Sequence, residues 1–195
     1  MTARMLVLVL AAASAAPLLQ GCAPVVVAGA AGGASVVHDR RTAGAVVEDQ
    51  AIEIKARRAR NDDPDLSKKA HINITSYNGI VLLTGEAPSE ALRQRMERLV
   101  QDIEHVRRVH NEIAVASPSA YSARTSDTWI TSKAKTSLFK VKLDNFDPTR
   151  VKVVTERGVV YLMGLVSRTE ADAVVDQVRQ VGGVQRVVKV FEYVT

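Results

Sequence analysis

Ala70-His71-Ile72-Asn73-Ile74-Thr75-Ser76-Tyr77-Asn78-Gly79-Ile80-Val81-Leu82-Leu83-Thr84-Gly85 is the stretch that decides the fold. Ile72 and Ile74 alternate with Asn73 and Thr75, the period-two pattern of a half-buried strand. Asn78-Gly79 comes next, a pair that tolerates the two positive φ angles of a type I′ turn. The chain is therefore predicted to fold back as a hairpin, with Ile80 to Glu86 as the returning strand. The same feature occurs again downstream. Gly79-Ile80-Val81-Leu82-Leu83-Thr84-Gly85 matches Gly158-Val159-Val160-Tyr161-Leu162-Met163-Gly164 with both glycines in register. Val106-Arg107-Arg108-Val109 matches Val184-Gln185-Arg186-Val187, one residue out of that register. Asp49, Ile52, Lys55 and Ala56 match Asp127, Ile130, Lys133 and Ala134. Three separated blocks in one order mark an internal duplication.

Each copy reads helix, strand, strand, helix, strand. In the first, a helix is expected from Val47 to Arg60. After the hairpin, Ser89 to Ile103 is amphipathic, with Leu92, Met96, Leu99, Val100 and Ile103 inward and Arg93, Arg95 and Arg98 outward. Val106 to Val115 returns as a strand. In the second copy the hairpin is Val151 and Val153, a Glu156-Arg157-Gly158 turn, and Val159 to Val166. A helix over Thr169 to Gln180 stops at Gly182-Gly183, where a residue without Cβ can take a left-handed cap, and Val184 to Val194 closes the sheet. The expected class is α+β: two tandem units, each a three-stranded mixed sheet with two helices on one face. The boundaries fall at 46–116 and 126–195, joined by a short polar connector, 117–125, that permits packing or modest movement. Asp62-Asp63-Pro64-Asp65 reads as a solvated acidic loop.

The N-terminus reads as an export signal. Met1-Thr2-Ala3-Arg4 is a positive n-region, and Met5 to Leu19 is an apolar run too short for a confident membrane span. Leu18-Leu19-Gln20-Gly21-Cys22 resembles a bacterial lipobox, so residues 1–21 are expected to be removed and Cys22 acylated. Residues 22–45, rich in Ala, Gly and Val, read as a tether. The residue after the cysteine is Ala23, which by resemblance to the sorting pattern of Gram-negative lipoproteins directs the protein to the outer membrane, facing the periplasm. A single Cys excludes a disulfide framework and a Cys-based zinc site. The four histidines have no metal-ligand spacing. No Gly-rich phosphate loop, Ser/His/Asp order or pair of carboxylates in an apolar setting is apparent, so neither an enzyme nor a cofactor is expected. The formal net charge is +5. Residues 46–116 carry 11 Lys and Arg against 12 Asp and Glu, whereas 117–195 carry 12 against 8. The positive field belongs to the second copy, and export points it at phospholipid, not nucleic acid.

The second copy opens with Ser126-Asp127-Thr128-Trp129-Ile130-Thr131-Ser132-Lys133-Ala134-Lys135-Thr136-Ser137-Leu138-Phe139-Lys140, where Ser126 or Asp127 is expected to N-cap a helix. Ile130, Ala134 and Leu138 form its inward stripe. Trp129, the chain's only tryptophan, lies about 100° from Ile130 and flanks that stripe, with Lys133 beside it and Lys140 further along. Helical geometry alone reads Trp129 as a residue sealing the core edge. The duplication changes this: Trp129 corresponds to Ala51, so the scaffold does not need an aromatic there.

The αββαβ order, the Gly-hydrophobic-Gly hairpins and the closing Val-x-x-Val strands resemble the BON domain. Signal, lipobox, tether and two such copies together resemble dual-BON outer-membrane lipoproteins. The most specific pieces are Asp127-Thr128-Trp129-Ile130-Thr131, Val160-Tyr161-Leu162-Met163-Gly164-Leu165-Val166 and Ala70 to Gly79. Lys140-Val141-Lys142-Leu143-Asp144-Asn145-Phe146-Asp147-Pro148 departs from the pattern. The resemblance implies a non-enzymatic protein whose second domain binds anionic phospholipids, such as phosphatidylglycerol or cardiolipin, through its first helix. It implies residence at the division site, support of outer-membrane integrity and contact with the β-barrel assembly machinery. The residues it places at the lipid are Trp129, Thr131, Lys133 and Leu138, with Ser132, Lys135 and Lys140 around them. The competing expectation is a periplasmic scaffold for that machinery or for cell-wall remodelling factors, without direct lipid recognition.

Overall fold

Asn78 and Gly79 have φ of 52° and 72°, and Arg157 and Gly158 have 53° and 72°, so both hairpins turn as type I′ requires. The computed structural model describes residues 39–118 and 121–194. The expected signal peptide, Cys22 and most of the expected tether lie outside them. In the first domain, helix α1 (Ala43–Asp62) and a short helix α2 (Pro64–Lys69) precede strands β1 (His71–Tyr77) and β2 (Ile80–Ala87). Helix α3 (Glu90–Gln101) and strands β3 (Arg108–Asn111) and β4 (Ala114–Val115) complete it. The second domain has helix α4 (Tyr121–Leu138), a 3₁₀ turn (Pro148–Arg150), β5 (Val151–Glu156), β6 (Val159–Val166), α5 (Arg168–Val178) and β7 (Arg186–Tyr193). Both sheets are mixed: β1 is antiparallel to β2 and β5 to β6, while β3, β4 and β7 run parallel to their neighbours.

Both domains bury helices against one sheet face. Ile52 and Ala56 of α1 pack with Met96 and Val100 of α3 on Ile72, Ile74, Val81 and Leu83. Ile130, Ala134 and Leu138 of α4 pack with Val174 and Val178 of α5 on Val153, Val160 and Leu162. The opposite faces of the two sheets meet each other. Tyr77, Ile80 and Leu82 from one side and Tyr161, Met163 and Val190 from the other form a third core. That explains why β2 is buried at all eight of its positions. Val81 and Leu83 face helices while Ile80 and Leu82 face the other domain, as in a strand covered on both sides. The two copies are docked, which the polar connector left open.

Polar bonds rim the joint. Asn73 donates to Glu156 at 2.8 Å and Asn78 to Glu192 at 2.7 Å. Lys152 donates to Glu53 at 3.1 Å, and the Tyr77 hydroxyl donates to the Arg150 carbonyl at 3.2 Å. Arg107 pairs with Glu192 at 2.9 Å and holds its carboxyl below the usual range.

Three expectations are corrected. The first closing strand is not continuous from Val106 to Val115 but breaks at Glu112-Ile113. There the Ile113 N–H donates to the Asn111 side chain at 3.2 Å, an alternative to a ladder partner. The first sheet therefore contains four strand segments where three were expected. The acidic stretch after α1 is a helix start: Asp63 caps α2 by accepting from Asp65 and Leu66 N–H, with Pro64 at the first turn. Finally, α4 begins at Tyr121, well before the expected caps Ser126 and Asp127.

Candidate functional site

Asp127 does not cap its helix; it holds the hairpin. It is 7% exposed, and its carboxylate accepts from the N–H groups of Arg157 and Gly158, both at 2.8 Å. Asp49 does the same in the first copy, accepting from Asn78 at 2.7 Å and Gly79 at 2.9 Å. In both domains the tight turn's amides are thus satisfied by a carboxylate on the first helix, which fixes that helix's rotation over the sheet. With Asp127 turned inward, positions near 180° from Ile130 must face solvent.

Trp129 is 66% exposed. From Thr128 to Leu143 the chain has no carboxylate and four lysines, Lys133, Lys135, Lys140 and Lys142. The one carboxylate of α4, Asp127, is the buried one. The outer face of the helix is therefore uniformly basic around an exposed indole.

The residues singled out from sequence divide between two sides of α4. Trp129, Ser132, Lys133 and Lys140 line one shallow depression with Thr136 and the end of α5, at Gln177, Gln180 and Gly182. Its floor is set by contact between α4 and the loop after α5: Gly183 has φ of 101° and a Cβ there would come within 3.1 Å of Ile130. The Lys133 ammonium donates to the Gly182 carbonyl. Thr131 faces the other way and donates to Thr155 of β5 at 2.8 Å. Lys135 borders a cleft that Arg41, Gln50, Tyr77 and Phe139 also line.

Leu138 is 1% exposed and belongs to the core, so it does not share the surface with the others. Its neighbour Phe139 is 73% exposed. Phe139 is not among the residues expected at the lipid, although its helical phase marks it as outward. Nine positions after Ile130, at about 100° per residue, place it opposite the inward stripe.

The first described residues, Asp39 to Arg41, emerge at the cleft beside Phe139. Arg41 stacks on Tyr77 with 3.8 Å to the ring centroid and pairs with Asp49 at 2.8 Å. Arg40 pairs with Glu170 of the second domain at 2.5 Å. Arg41 thus lies next to the C-terminal end of α4, lining a cleft with Leu138 and Phe139.

One chemical expectation is corrected. Glu86 and Glu156, far apart in sequence, come together at the joint, where they are 1% and 6% exposed. Burial, with Glu86 nearby, pushes the Glu156 carboxyl up. No sequence spacing announces this pair, because sheet-on-sheet docking creates it.

Comparison with known proteins accords with the architecture. The BON domain model matches residues 48–117 and again 126–195. The outer membrane lipoprotein DolP of Haemophilus influenzae is 35% identical over 178 residues, 90% of each chain. The 21 kDa hemolysin of Actinobacillus pleuropneumoniae is 36% identical over 156 residues, 80% of this chain and 79% of that one. The osmotically-inducible protein Y of Escherichia coli is 29% identical over 159 residues, 80% of this chain and 77% of that one. Two matched copies of one module, on the αββαβ scaffold built from them, make this chain a tandem member of the BON-domain family.

Proposed function

We propose that this protein is an outer-membrane lipoprotein, acylated at Cys22, whose second BON domain rests helix α4 on anionic phospholipid. The observation that carries the reading is the chain's only tryptophan, 66% exposed on a helix face that holds lysines and no carboxylate. Trp places an apolar ring and a polar N–H where a bilayer changes from hydrocarbon to water. Phe139 adds a second exposed ring, while Lys135, Lys140 and Lys142 face the phosphates. Each lysine near an anionic leaflet contributes about 1 kcal/mol, so the helix alone binds weakly and reversibly. Weak contact is enough for a protein already held by acyl chains, because tethering raises the effective concentration. The anchor selects the membrane and α4 selects the lipid. The same reading includes residence at the division site, support of envelope integrity and contact with the β-barrel assembly machinery, for which imaging of a fluorescent fusion is the check.

Flotation of residues 36–195, which lack the cysteine, tests the lipid contact. The protein is expected to float with phosphatidylcholine vesicles only when phosphatidylglycerol or cardiolipin is included. Trp129→Glu and Phe139→Glu should each cut the floated fraction by about tenfold, the scale of desolvating one carboxylate at the interface. Flotation indifferent to anionic lipid, or unaltered by Trp129→Glu in a folded protein, sinks the proposal.

A further inference from the structure

A second candidate site lies off α4, at the joint between the domains. Between the domains, Arg93, Asn111, Glu112 and Ala114 of the first face Arg157, Tyr161, Gln185 and Arg186 of the second across a groove of about 490 Å³. Its first-domain wall is the broken closing strand, and the break at Glu112-Ile113 has no counterpart in the continuous β7. Asp127 and Phe139 are twelve residues apart, about 18 Å along a helix. The groove, bordered by the Arg157 turn that Asp127 holds, is thus separated from the cleft beside Phe139.

Three arginines, Arg93, Arg157 and Arg186, line the groove against two glutamates, Glu112 and Glu156. Glu112 accepts from the Tyr161 hydroxyl at 3.4 Å, and Glu156 accepts from Asn73 at 2.8 Å. Arg93 uses its terminal nitrogens on Glu90 and on the Asn111 carbonyl, yet its Nε is buried without a partner. Arg157 and Arg186 are exposed, and neither side chain has an ion-pair partner among the described residues.

Arg157 also breaks a local rule. It occupies the first central position of a type I′ turn at φ 53°, where the first copy has Asn78 at φ 52°. Asn tolerates that left-handed conformation, whereas a long side chain pays strain there. A residue that costs stability in one copy, where its duplicate is well chosen, marks a place used for something else.

We propose that this groove binds an acidic, extended polypeptide segment of a periplasmic partner, with Arg157 and Arg186 pairing its carboxylates. Guanidinium forks match carboxylates in two-bond geometry, and a groove between two rigid domains presents them at fixed spacing. The assignment does not depend on the lipid reading.

The test uses the full acylated chain in neutral detergent micelles and a short fluorescein-labelled Glu-rich peptide, followed by anisotropy. The peptide is expected to bind, and its Lys-rich counterpart is not. The double variant Arg157→Asn/Arg186→Gln should weaken binding at least about tenfold, as expected for losing charge-assisted bonds. Asn suits the turn, so the thermal midpoint should not fall. Trp129→Glu should leave peptide binding unchanged, and the double variant should leave vesicle flotation unchanged. Failure of the Glu-rich peptide to bind, equal binding by the double variant, or loss of binding with Trp129→Glu overturns the proposal. So does displacement of the peptide by millimolar inorganic phosphate as effectively as by unlabelled peptide, which would make the groove a simple anion site.

Discussion

Asp49→Ala is expected to lower the stability of the protein by about 3–5 kcal/mol, read as a shift of the urea midpoint. The carboxylate is 4% exposed and serves four donors: the Ser76 hydroxyl at 2.6 Å, Asn78 N–H at 2.7 Å, Gly79 N–H at 2.9 Å and Arg41 at 2.8 Å. Removing it strands two turn amides and a buried hydroxyl, and leaves Arg41 paired only with Asp39. Because Tyr77 sits under Arg41 and belongs to the inter-domain core, damage should spread to the joint. Asp127→Ala, which loses only the two hydrogen bonds from the Arg157 and Gly158 amides, should cost less. Equal midpoints for Asp49→Ala and wild type would show that the helix-to-hairpin clamp is not what holds the first domain.

Gly85→Ala should be comparably severe, at least about 4 kcal/mol, or should prevent soluble expression. Gly85 sits within β2 at φ 109°, and a Cβ would come within 2.0 Å of the His71 carbonyl oxygen on the paired strand. Backbone cannot yield there without opening the β1–β2 ladder, where Ile72 faces Gly85. The duplicate position, Gly164, is not in the left-handed region, and its Cβ would stop 2.7 Å from the Arg150 carbonyl. Gly164→Ala is therefore expected to be the milder of the two, although the glycines are in register in the sequence.

The hairpins could be read directly because Asn78-Gly79 and Arg157-Gly158 declare their turns and the strands alternate around them. The inward stripe of α4 was equally plain from the spacing of Ile130, Ala134 and Leu138. What sequence did not reveal were outcomes of competition between local partners. Asn111 takes a strand amide with its side chain and breaks β3 from β4, and Asp63 caps a helix within what looks like an acidic loop. Asp127, a good capping residue by type, is drawn instead to the amides of a turn thirty residues away. Docking of the domains was latent in β2, whose Ile80 and Leu82 leave no polar face to offer water, but nothing local names the surface that covers them. At the candidate site, helical phase identified Trp129 and could have identified Phe139, while Leu138, assigned to lipid by resemblance, had already been placed inward by the same phase.

Trp129 is the chain's only tryptophan, so its fluorescence reports on the lipid contact without labels. When vesicles containing phosphatidylglycerol are added to residues 36–195, the emission should shift to the blue, and brominated acyl chains should quench it. Phosphatidylcholine alone should do neither. If the protein floats with anionic vesicles while the emission of Trp129 stays where water leaves it and bromine does not quench it, some other surface makes the contact and the role given to α4 is wrong.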